Sequence, residues 1–239
     1  MKKLYSLFFL LMILCSCDEV TNLTFSEQNN IYNDQAKVEI NIPVAEGSQE
    51  VAKAINTKLE NHIANMLVFS EDDSPNLKLD EALTTFESEY LKFKEDFNET
   101  ALVFEASFDG EVIYHSSELI CIALTGYTNT GGAHGNSNIT LYNFDPQTGK
   151  TLELNEIIND KETFTSIVEI YFKDEIANNT NRTFEDYFFD NKFHLPANIG
   201  FNEEGVLVLY NPYEVAAYAM GITEFTIPFE KVDNYLKVH

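Results

Sequence analysis

The sequence predicts an α+β protein, an antiparallel sheet with helices packed on one face. Three observations carry this expectation. Apolar residues that alternate with polar ones, as in Val38, Ile40, Ile42 and Val44, mark strands. Other stretches repeat apolar residues every three or four positions and mark amphipathic helices. The two kinds of segment follow one another without the regular strand–helix–strand alternation of a doubly wound parallel sheet.

The first strand covers 38–44 and is ended by Pro43 and the nearby Gly47. From Ser48 the period changes: Val51, Ile55, Leu59, Ile63 and Met66/Leu67 share a helical face, with Lys53, Lys58, Glu60 and Asn61 off it. Ser74-Pro75 is a helix start, a capping hydroxyl with Pro in the first turn. The helix that follows carries Leu79, Leu83, Phe86, Tyr90, Phe93 and Phe97, a stripe that reads as core. In the β region 101–145, Phe104, Ala106 and Phe108 alternate up to Asp109-Gly110, a hairpin signal, followed by Val112 and Tyr114. The unbroken apolar run 119–124 predicts a strand buried on both faces, and 139–144 predicts another strand. Residues 145–149 form a Pro- and Gly-containing turn. Asn159 with Glu162 resembles a capping box for a helix with Phe164, Ile167/Val168 and Tyr171/Phe172 on one face, ended by the polar 178–181. Strands at 206–210 and 224–227 and a short helix over 229–236 close the chain, and no solenoid repeat is present.

Of 239 residues, 44% are hydrophobic and 13% aromatic, which excludes a disordered chain. Acidic residues number 39 against 15 basic, a formal charge of −24. Nucleic-acid binding is excluded, because phosphate contacts need clustered Lys and Arg.

Lys2 and Lys3 precede an apolar run over residues 4–14. The run is too short to span a membrane and suits a signal-peptide core. It ends in Leu14-Cys15-Ser16-Cys17, which resembles a bacterial lipobox, so residues 1–16 are expected to be a signal peptide and Cys17 the lipidated residue. Residues 17–34 read as a flexible tether. The expected location is the cell envelope, periplasmic or outer surface, with the N-terminal lipid as the membrane contact and a monomer as the oligomeric state. Cys121, within the apolar run, reads as a buried small hydrophobe.

Two segments stand out as candidate ligand-binding loops. The first contains Tyr127, Thr130, Gly131, Gly132, His134, Gly135 and Asn136 between two predicted strands. Glycines allow close backbone approach, so its amides could cradle an anion or a sugar. A structural loop explains the same composition and is the reading the residues favour, because the loop leaves a buried strand and should start near the core. On that reading His134→Ala lowers the melting temperature. The second segment contains Asn211, Tyr213, Glu214 and Tyr218, residues suited to glycan or protein recognition or to packing at a core edge. The five His include no i, i+4 pair for a helical zinc site, no Gly-x-Ser-x-Gly elbow occurs, and no calcium loop is formed. No catalytic residue, metal site or cofactor is assigned.

Gly131-Gly132-Ala133-His134-Gly135, Tyr142-Asn143-Phe144-Asp145 with Thr148-Gly149-Lys150, and 154–158 resemble the extracytoplasmic module of RsiV-type anti-sigma factors and PdaC-type wall deacetylases. The run 210–214, then 218–221 and 225–228, is similar to the ending of that module. The resemblance covers residues 35–236 and implies two adjoining halves, here 35–138 and 139–239. It also implies sensing of a lysozyme-like protein in RsiV-type relatives, and a separate catalytic domain in PdaC-type ones. The expected function is a non-catalytic binding or sensing module for a cationic protein, with a lysozyme-like one as a candidate, or for a cell-wall glycan. The alternative is a hydrolase of envelope glycans that pairs His134 with Asp145 or Glu214.

Overall fold

The computed structural model describes residues 23–68, 77–179, 182–188 and 192–239. The signal segment 1–16, Cys17 and Ser74-Pro75 lie outside the described residues. Strands β1 (Thr24–Tyr32), β2 (Lys37–Glu46), β3 (Glu105–His115), β4 (Ile120–Asn129) and β5 (Asn136–Phe144) form one sheet in that order. Its pairs are antiparallel except β2 with β3, which run parallel. The parallel pair follows from what lies between: helices α1 (Gln49–Leu67) and α2 (Leu79–Asp96) carry the chain back to the end where β2 began. A second, antiparallel sheet joins β6 (Asn198–Asn202), β7 (Gly205–Tyr210) and β8 (Thr223–Pro228). Around it lie α3 (Leu154–Ile157), α4 (Lys161–Asn179) and α5 (Phe229–Val232).

Two cores share one strand. On one face of the first sheet, Ile55, Leu59 and Ile63 of α1 and Phe86 of α2 pack on Ile40, Phe108, Ile120, Ile122 and Leu124. The opposite face of β4 and β5 presents Leu119, Cys121 and Leu141 to the second core, which α4 completes with Phe164, Val168 and Phe172. The unbroken run at 119–124 is therefore apolar because both faces of the strand are covered. Phe172 meets Phe188 and Tyr210 edge-on within this core.

Several local expectations give way to tertiary context. Residues 24–32, read as part of a tether, form β1, which pairs with β2 along its whole length. An edge strand can be held by backbone hydrogen bonds without an apolar face, so its polar composition hides it. Asp109-Gly110 lies inside β3 and is not a turn. A Cβ on Gly110 would come within 2.8 Å of Pro43 Cδ, so glycine is used where β2 parts from β3. The turn comes later: Ser116 N–H donates to the Leu119 carbonyl (2.9 Å) and Leu119 N–H to Ser116 Oγ (3.0 Å). Pro43 does not end β2, because pairing with β3 stops at Asn41. Asp160, not Asn159, caps α4, accepting from Thr163 N–H (3.1 Å). The boundary expected at 138/139 falls inside β5.

A binding cleft along the edge of strand β5

β5 is the last strand of its sheet, and its outer edge would expose unpaired backbone groups. Asparagine side chains meet them. Ile139 N–H donates to Asn211 Oδ1 (2.9 Å), and Asn211 Nδ2 donates to the Ile139 carbonyl (2.8 Å). Leu141 N–H donates to Asn198 Oδ1 (3.0 Å), and Asn143 Nδ2 donates to the Ile199 carbonyl (2.7 Å). These amides fasten β5 to the second sheet as a substitute ladder. Beside them opens a cleft of about 680 Å³, lined among others by Lys58, Asn138, Thr140, Tyr142, Glu153 and Tyr213. Asn143 Oδ1 in its wall is buried without a donor among the described residues.

Charge in the cleft is mostly committed. Glu214 Oε1 accepts from Ala197 N–H (2.7 Å) and Oε2 from Asn211 N–H (2.8 Å). Glu153 and Glu156 cap α3 reciprocally, with Glu153 N–H donating to Glu156 Oε2 (2.8 Å). Tyr142 places its hydroxyl 2.8 Å from His62 Nδ1 of α1. Burial pushes the Tyr142 hydroxyl up to about 12. Burial, then the Lys58 charge, lowers His62 to about 4, so the ring is neutral at pH 7.

At the mouth of the cleft three rings gather. His134 stacks on Tyr218 with centroids 4.1 Å apart and planes at 17°, and Tyr213 lies 5.4 Å from Tyr218. His134 Nδ1 is 2.9 Å from the Gly135 carbonyl, so in the neutral ring Nδ1 carries the proton and Nε2 faces the Tyr213 hydroxyl at 3.5 Å. Tyr213 has φ +68°, a conformation rare for bulky residues, and its side chain is 61% exposed.

The structure thus divides the two predicted loops. His134, Tyr213 and Tyr218 come together. Gly135 has no room for a side chain, because the Tyr127 ring covers it. Gly131, at φ +91°, instead leans on Leu102 and Phe93. Thr130 borders a separate hollow beside Phe93 and Phe104, and Gly132 and Asn136 are exposed. Asn211 and Glu214 hold backbone. The loop does start near the core, with Thr130 and Gly131 beside Phe93, but β4 ends at Asn129 and His134 is exposed, so the expectation does not extend to His134. The hydrogen bonds of His134 go to Gly135 and Tyr213, whereas Asp145 Oδ1 accepts from Gln147 N–H (2.7 Å) in its own turn. Neither carboxylate partner expected for a hydrolase touches the His134 ring through these bonds. Among the described residues no three His, Cys, Asp or Glu gather as metal ligands. Lys58, Asn138, Thr140 and Tyr142 are not among the ligand-binding residues the sequence suggests, although Tyr142 belongs to a motif that carries the family resemblance. The alternation Asn136, Asn138, Thr140, Tyr142 along one side of β5 is the signal that could have found three of them.

The fold has known relatives. Residues 27–137 match the family described as deacetylase PdaC, and residues 153–230 match DUF3298, a family described as of unknown function. The chain is 23% identical over 202 residues to the peptidoglycan-N-acetylmuramic acid deacetylase PdaC of Bacillus subtilis (strain 168). That match takes in 80% of this chain but 42% of the relative, so this chain spans less than half of that protein. Solved structures of DUF3298 family members share the fold. The one from Bacteroides fragilis NCTC 9343 superposes with a TM-score of 0.68 at 19% identity, and the one from Pseudomonas aeruginosa PAO1 with 0.62 at 18%. Each alignment covers 91% of this chain and 94% of the other. The chain carries the module that PdaC-type proteins share.

Proposed function

We propose that this chain is a non-catalytic module that binds cell-wall glycan in the cleft beside β5. The observation that carries the reading is Tyr213. A left-handed tyrosine costs on the order of 1–3 kcal/mol, and its exposed ring regains little of that by packing. Glu214 closes the turn by accepting from Asn211 N–H and ties it to the segment before β6 by accepting from Ala197 N–H. Such strain is maintained where a ring must stand clear of the surface. With Tyr218 and His134 it forms a tilted aromatic cluster, and the exposed Tyr213 ring offers a face of the kind on which the apolar face of a pyranose packs. Asn138 and Thr140 behind it supply neutral hydrogen-bonding groups for hydroxyls and amides. The kinship with a deacetylase named for peptidoglycan supports the same ligand class. The non-catalytic part of the reading rests on cleft carboxylates already bound to backbone amides.

Co-sedimentation with purified peptidoglycan sacculi tests this. The wild-type chain is expected to pellet with sacculi. Tyr213→Ala and Tyr218→Ala are expected to lose binding about tenfold, with melting temperatures within a few degrees of wild type. Failure of the wild type to pellet would refute the reading, and release of soluble muropeptides would make the chain a hydrolase. Capture of lysozyme with no affinity for sacculi would assign the surface to a cationic protein. The lipobox-like 14–17 supports attachment to a membrane through Cys17. Palmitate labelling that disappears in Cys17→Ser is the expected result, and labelling that persists would remove the anchor.

A further inference from the structure

The cleft lies in a protein of net charge −24, and three charged side chains line it, Lys58, Glu153 and Glu214. Of its lining residues, Glu153 and Glu214 have carboxylates occupied by backbone amides. Lys58 is exposed on α1, off the buried stripe, and its ammonium lies 5.4 Å from the centre of the Tyr142 ring. Among the described residues Lys58 has no carboxylate partner within ion-pair distance. In so acidic a chain an ammonium at a cleft wall would readily find an acid if pairing were its role. The Tyr142 ring instead steadies the ammonium beside the open space, and the His62 contact fixes that ring from behind. The same wall holds Asn143 Oδ1, an acceptor still without a donor.

We infer that the cleft selects a carboxylate-bearing sugar, with Lys58 as the partner of its carboxylate. This rests on the glycan-binding reading and adds a preference among glycans. Lys58 is the cation of the cleft and has an ammonium free to donate, so an anionic substituent gains a charge-assisted hydrogen bond that a neutral sugar lacks. Tyr213 and Tyr218 would hold the ring, and Lys58 would read the substituent.

The test compares two soluble disaccharides by calorimetry: N-acetylglucosaminyl-N-acetylmuramic acid, and diacetylchitobiose, which lacks the lactyl carboxylate. Wild type is expected to prefer the acidic disaccharide about tenfold. Lys58→Gln is expected to bind both alike at the affinity of wild type for diacetylchitobiose, and Lys58→Arg to keep the preference. Lys58 is exposed, so the Gln variant is expected to melt with wild type, and it is checked by melting temperature. Equal binding of the two sugars by wild type, or a preference that survives in Lys58→Gln, would overturn this inference and leave glycan binding standing. Binding of neither sugar by wild type, together with no pelleting on sacculi, would overturn both.

Discussion

Tyr142 reaches across from β5 to place its hydroxyl against His62 on α1, so one hydrogen bond ties the cleft wall to the first core. The burial of His62 has a consequence for pH. His62 is held near 4 in the folded chain, chiefly by burial, against 6.5 when exposed. Above pH 6.5 the ring is neutral in both states and its contribution is fully present. Below 6.5 the unfolded chain takes up the proton first, so stability falls with pH until about 4. The loss between pH 7.5 and 5 is about 2 kcal/mol. It is read as a drop in the urea midpoint of wild type relative to His62→Gln, a comparison that cancels carboxylate titration. Parallel pH profiles for the two proteins would show that His62 is not buried neutral. His134 is the contrasting residue: it is exposed and its ring stacks on Tyr218, so His134→Ala is expected to melt with wild type, and a clear drop in melting temperature would restore the structural reading of its loop.

Asn211 shows how an element is held where strand pairing ends. Its side chain gives and accepts a hydrogen bond with the backbone of Ile139, as a neighbouring strand would. Asn211→Ala leaves an N–H and a carbonyl of β5 without partners, at a cost of about 2–3 kcal/mol. The expected result is a lower denaturation midpoint together with weaker glycan binding, because the cleft wall loosens. A variant as stable as wild type would mean that water replaces the amide without cost. Elements that carry their own pattern were legible in the sequence: the α1 stripe, the doubly buried β4, the turn at 145–149 and strand β7 stand as read, and so does the α2 stripe up to Phe93, whereas Phe97 follows the end of the helix and is 58% exposed. Elements stabilised by something distant were not. β1 depends on pairing with β2, and Asp109-Gly110 has turn composition but serves the close passage of Pro43. Half of the site was legible for the same reason. His134, Tyr213 and Tyr218 stand in unusual local sequence. Lys58 and Tyr142 look like ordinary surface and strand residues until α1 is laid against β5.

Across the whole molecule, the shared strand β4 makes the two halves interdependent. Its faces lie in different cores, and Phe201 N–H of the second sheet donates to Cys121 Sγ at 3.4 Å. The cleft opens where β5 meets the second sheet, so neither half builds it alone. The rings at its mouth come from both: His134 from the β4–β5 connection, Tyr213 and Tyr218 from the β7–β8 connection. An amide-resolved NMR titration with N-acetylglucosaminyl-N-acetylmuramic acid tests glycan binding in this cleft most directly. The account expects saturable shifts concentrated at Asn138, Thr140, Tyr142, Tyr213 and Tyr218, with the far surface of α4 silent. Shifts centred on the acidic face of α2, or none at millimolar sugar, would contradict it.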